Sequence, residues 1–402
     1  MIEEFEICKH NDCTGCGACA VRCPKQCISF VENDEGFLYP KIDFDICINC
    51  RSCQKVCPSN NEKMMKNKGE FFMAWHKDDA IRKESSSGGV FTALAQVILK
   101  KGGVIAGAYL DLKTHDVVHI IVDNEEDLSK LRCSKYYQSL AYPVYSKVLR
   151  YIKDKRYVLF TGTACQVVAL KALMSENDNK YLITMDVLCH GVANKRVVNS
   201  YLRSKEKHYR KKIVGYQFRV KDKSGWNRGG GTRMKLRFDD GSCKTENKLL
   251  DTYFVGFNNF AFLRESCYQC KYCGTDRIAD FTVADFWGVT EERASKEDMI
   301  KGISAISINS SKGLDLLNEL QEYLELTKVN KEEVVPYNRS FVEHNPRPAI
   351  RDTFFKRMVN EDFDKIIKDA FHTYYAKAYI KNAIQTVIGE ENYLKIVKFK
   401  NK

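Results

Sequence analysis

Two cysteine runs near the N-terminus restrict this chain more than any other feature. They read Cys13-x-x-Cys16-x-x-Cys19-x-x-x-Cys23-Pro24 and Cys47-x-x-Cys50-x-x-Cys53-x-x-x-Cys57-Pro58. Three thiolates at this spacing can curl around one side of a small inorganic core. A continuous loop cannot close around it, so the fourth ligand must arrive from elsewhere. In runs of this kind the fourth cysteine serves the core held by the other run. The expected ligand sets are therefore Cys13, Cys16, Cys19 and Cys57 for one [4Fe-4S] cubane, and Cys47, Cys50, Cys53 and Cys23 for the second. The prolines turn the chain after each crossing ligand and remove a backbone donor.

Competing chemistries fit less well. Zinc knuckles pair C-x-x-C units across a long spacer, whereas here three close cysteines plus a fourth occur twice. A disulfide framework suits a secreted chain, and Met1-Ile2-Glu3-Glu4-Phe5-Glu6 has neither the basic nor the apolar segment of an export signal. The C-x-x-x-C-x-x-C triplet of radical-SAM chemistry does not occur. Cys8 and Cys27 lie outside the runs and are expected to be ordinary buried thiols. Between the runs, Ile28–Val31 and Gly36–Pro40 predict a small hairpin. Residues 1–60 are thus expected to form an α+β two-cluster ferredoxin module.

At 402 residues the chain is too long to be only that module. No run of eighteen apolar residues occurs. The nearest, from Val158 to Met174, is broken by Thr161, Gly162, Thr163, Gln166 and Lys171, so no membrane span is expected, and a soluble, cytoplasmic protein is. The formal charge of +12 would suit an anionic partner. No nucleic-acid-binding motif accompanies it, so no nucleic acid is expected. Residues 61–69 are polar and lysine-rich and read as a linker. Beyond them, strand and helix signals alternate: strands at Phe71–Trp75, Val104–Tyr109, Val117–Val122, Tyr157–Phe160 and Tyr181–Leu188, with helices at Val90–Lys100 and Cys165–Met174. This alternation predicts an α/β domain over 70–345. Residues 346–402 turn helical and basic and read as a C-terminal tail.

Five segments of the large domain are candidates for carrying chemistry. Ser85-Ser86-Ser87-Gly88-Gly89 precedes a helix, where exposed N–H groups and the helix dipole favour phosphate; a plain serine N-cap is the simpler alternative. Arg132-Cys133-Ser134-Lys135-Tyr136 supplies cations, a hydroxyl and a ring, or is a surface turn. Thr163-Ala164-Cys165-Gln166 and Cys189-His190-Gly191 each follow a strand, where open α/β sheets bind ligands. Cys267-x-x-Cys270-x-x-Cys273 is a metal signal lacking a fourth cysteine and proline, and Cys165 and Cys189 are the available donors. No G-x-G-x-x-G follows the first strand, and Gly229-Gly230-Gly231 sits in a polar loop, so the domain is not expected to be a Rossmann fold.

In order along the chain, Ser86-Ser87-Gly88-Gly89-Val90, Ser134-Lys135-Tyr136, Gly162-Thr163-x-Cys165-Gln166, Cys189-His190-Gly191, Ser266-Cys267-Tyr268-x-Cys270 and Ala279-Asp280 leading to Asp285-Phe286-Trp287-Gly288 resemble the beta-subunit family of coenzyme F-420 hydrogenases and dehydrogenases. The resemblance spans roughly residues 70 to 345. It implies an iron–sulfur flavoprotein that couples one-electron transfer through [4Fe-4S] clusters to FAD-mediated hydride transfer with a deazaflavin or another organic substrate. It implies FAD held by Ser86, Ser87, Gly88, Gly89, Ser134, Lys135, Tyr136 and Thr163. A third cluster would be held by Cys165, Cys189, Cys267 and Cys270, with Cys273 as an alternative ligand. His190 is a candidate proton relay, against a structural histidine. The implied partners are a redox protein or ferredoxin-like donor and a small-molecule hydride donor or acceptor. The alternative is a non-catalytic electron-transfer subunit feeding a partner enzyme. Cys133 replaces the family's usual glycine and Ala164 its usual proline, which bears on the substrate rather than on any proposed ligand.

Overall fold

The computed structural model describes residues 4–61, 67–175, 180–221, 226, 233–247 and 249–389. Continuous apolar runs such as Val158-Leu159-Phe160, all without exposed surface, form the strands of one eight-stranded mixed sheet, as expected for strands covered on both faces. From one edge the order is Leu324–Lys328, Glu70–His76, Ser304–Ile308, Phe281–Asp285, Leu182–Val187, Val158–Thr163, Val104–Asp111 and Asp116–Val122. The four strands from Phe281–Asp285 to Val104–Asp111 run parallel, and antiparallel pairs complete both sides.

Strand periodicity sends Ile105, Leu159 and Ile183 to one face of the sheet and Val104, Ala106, Val158, Phe160 and Leu182 to the other. The helix Val90–Lys100 covers the first face through Val90, Ala93, Leu94, Val97 and Ile98, a 3.6-residue stripe. Its N-cap is Gly89, at φ 92°, and no serine side chain caps it. The helices Tyr142–Lys153 and Ala164–Ala172 cover the second face. Among the described residues no helix is long and apolar enough to cross a membrane.

The three-stranded antiparallel sheet Ile213–Gln217, Lys235–Phe238 and Cys243–Thr245 was not expected. It shares an aromatic core with the helices Lys195–Tyr209, Thr252–Asn258, Arg351–Met358 and Phe363–Ala370, built on Tyr201, Phe218, Tyr253, Phe262, Phe354 and Phe363. The last helix, His372–Ile388, buries Tyr375 and Ala378 and exposes Tyr379, Ile380 and Val387. In the stretch read as a linker, Asn67–Lys68 pairs with Asp276–Arg277 as a short antiparallel ladder. Residues 62–66 of that stretch and Gly229-Gly230-Gly231 lie outside the described residues.

In the N-terminal module the hairpin Ile28–Glu32 with Leu38–Ile42 forms in the register Phe30↔Pro40. Two short helices, Ala18–Arg22 and Ser52–Val56, follow the cysteine loops and pack on one another. Each loop curls by alternating left-handed residues: Gly15 and Gly17 in the first run, Asn49 and Arg51 at the matching positions of the second. Only glycine takes this conformation freely, yet only the first run uses it twice. The reason is packing. A Cβ on Gly15 would lie 2.6 Å from Gln138 Nε2, and one on Gly17 would lie 2.3 Å from Tyr142 Cβ. Asn49 faces solvent, and the Arg51 guanidinium lies 3.7 Å from the centroid of the Phe5 ring. The first cysteine loop is therefore pressed against the large domain, and the other one points outward.

Two arginines clamp the module in place. Arg264, 1% exposed, donates to Cys13 O at 2.7 Å, Leu38 O at 3.0 Å and Gln138 Oε1 at 3.2 Å. Arg351 forks onto Glu35 with both contacts at 2.6 Å.

Swapping the matched loop residues tests this packing asymmetry. Gly15→Asn should lower stability by on the order of 2 kcal/mol, through overpacking against Gln138 and Arg264. The reverse change, Asn49→Gly, should alter it by less than about 1 kcal/mol. Thermal denaturation of the two variants measures both; equal losses would contradict the asymmetry.

Candidate functional site

Fifteen of the seventeen cysteines gather around three hollows. Cys13, Cys16, Cys19 and Cys57 line one, of about 320 Å³, together with Cys8. Cys47, Cys50, Cys53 and Cys23 line a second of the same size, together with Cys27. Cys165, Cys189, Cys267, Cys270 and Cys273 line a recess of about 800 Å³. Among the described residues no three His, Cys, Asp or Glu side chains converge on a single-ion position. Thiols spread around the rim of a hollow are what a multi-iron core needs, so the donor sets fit [4Fe-4S] units. Cys27 is buried, as expected from sequence, and Cys8 is half-buried; both also sit on a cysteine-lined wall, because the chain segments flanking the runs fold back against them.

The sheet's topology builds the third recess. Thr163 and Val187 are register partners at the carboxyl ends of two parallel strands, so Cys165 and Cys189, which follow them, emerge side by side. This is where a parallel sheet presents its ligand-binding edge. Gln166 Oε1 accepts from Thr163 N at 3.0 Å and fixes the helix start. Thr163 Oγ1 lies 3.0 Å from Cys165 Sγ, so Thr163 stands with the cysteines rather than with the serine segments. The Cys267-x-x-Cys270-x-x-Cys273 loop closes the recess. It is held by Arg277, which donates to Tyr272 O and pairs with Asp186 at 2.7 Å, both ends 2% exposed or less. Burial pushes the Cys189 and Cys267 thiols up to about 12 and raises Cys165 further. A cation at their centre would reverse that burial effect.

The two inner hollows adjoin. Thr14 and Ser59 line both the first hollow and the third recess. The Tyr272 phenol, raised by burial, also feels the charges of Cys165 and Cys270 from one side and Cys16 and Cys57 from the other. The outward hollow differs, since Cys50 is exposed and so are Ile46 and Ile48 beside it.

The serine and Ser-Lys-Tyr segments meet each other elsewhere. Ser134 N donates to Ser86 Oγ at 2.9 Å, Ser87 Oγ donates to Ile303 O at 2.8 Å, and Gly88 N donates to Ser304 Oγ at 2.8 Å. Gly88 is small for a packing reason, because a Cβ there would lie 2.4 Å from Ala74 O. Lys135 Nζ donates to Leu131 O and Arg132 O, and burial lowers it to about 8. The Tyr136 ring sits among Phe218, Phe254 and Phe257, with its hydroxyl near Arg219.

Sequence reasoning missed the cations that complete this corner. Arg219 forks onto Asp285 at 2.7 and 2.9 Å, and Trp226 Nε1 donates to the same carboxylate at 2.8 Å. Lys221 Nζ donates to Arg82 O and Lys301 O, each at 2.7 Å, and burial lowers it to about 7. The signal that could have found them was Asp285-Phe286-Trp287-Gly288: a carboxylate set among apolar residues calls for a cation, and Trp287 stacks on Trp226 with centroids 4.9 Å apart.

His190 follows Cys189, and its ring packs against Phe257 at 5.4 Å and Phe260 at 4.9 Å. Its Nε2 is buried without a partner, and burial lowers the ring to about 4. Tyr136 touches the same Phe257 at 5.2 Å, so His190 and Phe257 stand between Cys189 and the Ser-Lys-Tyr corner.

A mixed α/β sheet with clustered cysteines at its strand ends, fronted by two cysteine-lined hollows, defines an iron–sulfur protein of oxidoreductase type. Comparison with known families gives the same class: residues 12–61 match the 4Fe-4S dicluster domain. Residues 71–144 match the N-terminal part, and residues 155–332 the C-terminal part, of the coenzyme F420 hydrogenase/dehydrogenase beta subunit. The chain belongs to the coenzyme F420 hydrogenase/dehydrogenase beta-subunit family. A curated relative, the coenzyme F420-dependent sulfite reductase of Methanocaldococcus jannaschii, is 30% identical over 137 residues, covering 33% of this chain and 20% of that protein. The chain thus matches about a fifth of that relative's length. A chain of the F420-reducing [NiFe] hydrogenase complex from Methanosarcina barkeri aligns at 18% identity and a TM-score of 0.47, over 77% of this chain and 93% of that one.

The buried Asp186–Arg277 pair anchors the third cysteine loop. Asp186→Ala should cost about 3–5 kcal/mol by leaving the guanidinium unpaired in the interior. Chemical denaturation with thiol labelling checks this; the Cys270–Cys273 segment should label at lower denaturant than in the unchanged protein. Unchanged stability would show that the pair does not hold the loop.

Proposed function

We propose that this protein converts between one-electron and hydride chemistry. Electrons from a redox partner protein would be received at the outward cysteine set, Cys23, Cys47, Cys50 and Cys53. They would pass to the set Cys13, Cys16, Cys19 and Cys57, and then to Cys165, Cys189, Cys267 and Cys270, with Cys273 able to substitute. FAD would occupy the corner formed by Ser86, Ser87, Gly88, Gly89, Ser134, Lys135 and Tyr136. There it would supply the exchange of single electrons for a hydride delivered to, or taken from, a deazaflavin or another organic molecule. The flow can run in either direction.

The observation that carries this reading is the succession of three neighbouring cysteine sets from an exposed rim toward the Ser-Lys-Tyr corner. The outermost exposes Cys50, the middle one shares Thr14 and Ser59 with the innermost, and the innermost reaches the proposed flavin corner through His190, Phe257 and Tyr136. The residues have definite tasks in it. Arg264 Nη2 lies 3.6 Å from Cys13 Sγ, and a cation beside a thiolate ligand raises a cluster's reduction potential. Lys135, with Arg219 and Lys221 nearby, provides positive charge for a pyrophosphate. Phe218, Phe254 and Phe257 exclude water from the Tyr136 ring. His190, whose buried Nε2 has no partner and whose ring is lowered by burial to about 4, would stand neutral beside the third set and take up a proton there only transiently.

Anaerobic reconstitution should load about twelve irons per chain, falling to about eight in the Cys165→Ala/Cys189→Ala double variant, which leaves the third set one ligand short even with Cys273. Saturation near eight with both cysteines intact would remove the third cluster from the scheme. Flavin released on denaturation should be FAD, and the bound flavin should bleach when mixed with a hydride donor in a stopped-flow instrument. A protein that keeps its iron but takes up no flavin, or whose flavin no deazaflavin or nicotinamide reduces, would be an electron-transfer subunit and not the enzyme.

A further inference from the structure

A cubane needs four thiolates, and each N-terminal hollow carries five. The extra cysteine occupies the corresponding place in both. Cys8 interacts with Cys13 and Cys57, and Cys27 interacts with Cys23 and Cys47. In each case the two sulfurs are the first cysteine of a triplet and the crossing cysteine from the other run. Chain spacing alone does not produce this, because Cys8 precedes its run by five residues while Cys27 follows its own by four.

The contact is closest between Cys27 and Cys23, whose sulfurs lie 3.3 Å apart. Both belong to one short turn, Cys23-Pro24-Lys25-Gln26-Cys27, closed by Gln26 N donating to Cys23 O at 3.2 Å with Gln26 at φ 52°. Side-chain rotation within that turn can exchange the two sulfurs without moving the chain. The crossing ligand is also the one that a triplet cannot replace from its own loop.

We propose that Cys8 and Cys27 are reserve ligands, each able to take the place of the crossing cysteine of its cluster. The proposal rests on the ligand assignment made above. In the exchange one Fe–S bond to Cys23 breaks and one to Cys27 forms. The proton of the Cys27 thiol passes to the released Cys23 sulfur, and no electron changes hands. The same exchange links Cys57 and Cys8. The outward cluster gains most from it, since its rim at Cys50 is open to solvent and exposed thiolate sites are the ones attacked first.

Iron and acid-labile sulfide, measured on the full chain after anaerobic reconstitution, test this together with the paramagnetic resonance spectrum of the reduced protein. Cys23→Ala and Cys27→Ala should each keep the wild-type iron content. The Cys23→Ala/Cys27→Ala double variant should lose one cluster, about four irons per chain. The reduced spectrum of Cys23→Ala should retain every cluster signal with one of them shifted. Loss of the cluster in Cys23→Ala alone overturns the proposal, and so does its loss in Cys27→Ala alone, which would make Cys27 an obligatory ligand. Where Cys23→Ala does not accumulate, Cys57→Ala with and without Cys8→Ala repeats the test in the inner hollow with the same outcomes. A wild-type chain that loads no [4Fe-4S] cluster would overturn the ligand assignment itself. Wild-type loading with failure of the single variants would overturn only the reserve role.

Discussion

The Arg264 guanidinium is the contact on which the arrangement turns. It is buried, stands 4.1 Å from the Tyr39 ring centroid, and spends its donors on Cys13 O, Leu38 O, Gln138 Oε1 and the Cys13 sulfur. Neutral acceptors satisfy its hydrogen bonds but leave its charge uncompensated, which is costly in an interior. On the proposed assignment the missing negative charge is the thiolate-ligated core itself. The residue that docks the ferredoxin module onto the large domain would then also be the one that favours electrons on the inner cluster. On that assignment docking and electron transfer would become one constraint, because separating the two parts would strip the cluster of its cation and the cation of its anion.

That constraint explains a difference between the repeated runs which is otherwise arbitrary. The inner loop uses Gly15 and Gly17 because Gln138, Arg264 and Tyr142 occupy the space where side chains would project. The outer loop tolerates Asn49 and Arg51 at the same left-handed positions, accepting the modest strain that such residues carry, because Asn49 faces solvent and Arg51 has room to lie over the Phe5 ring. The substitution pattern of a near-symmetric motif thus records which half is buried. It gives the three cysteine sets an order that cysteine spacing alone does not supply.

What the sequence made legible follows from how local each signal is. The hairpin around Asn33–Gly36 and the helix Val90–Lys100 depend on near neighbours and a clean period, and both lie where they were expected. The helix cap was misjudged because serines bind phosphate, cap helices and tie strands by the same hydroxyl chemistry. Here Ser86 and Ser87 reach Ser134 and Ile303, and Gly89 makes the cap. The small sheet through Ile213–Gln217 went unseen although Lys235–Phe238 alternates exposed and buried residues, since four residues are too few to stand out. Cys8 and Cys27 were invisible as cluster neighbours for a different reason: their place depends on how flanking segments fold back, and no spacing rule encodes that.

The large sheet determines whether a third cluster can exist at all. Cys165 and Cys189 are ligand candidates only because Thr163 and Val187 stand in register at the ends of parallel neighbours. A slip of one residue would turn every side chain along one strand to the opposite face and pull the two cysteines out of line. The apolar strand interiors, buried on both sides, make such a slip prohibitive. Core packing therefore holds the thiols to their positions. The same edge carries His190 against Phe257, and Phe257 against Tyr136. One sheet edge thereby sets both the site where single electrons would collect and the aromatic contact across which they would reach a two-electron carrier.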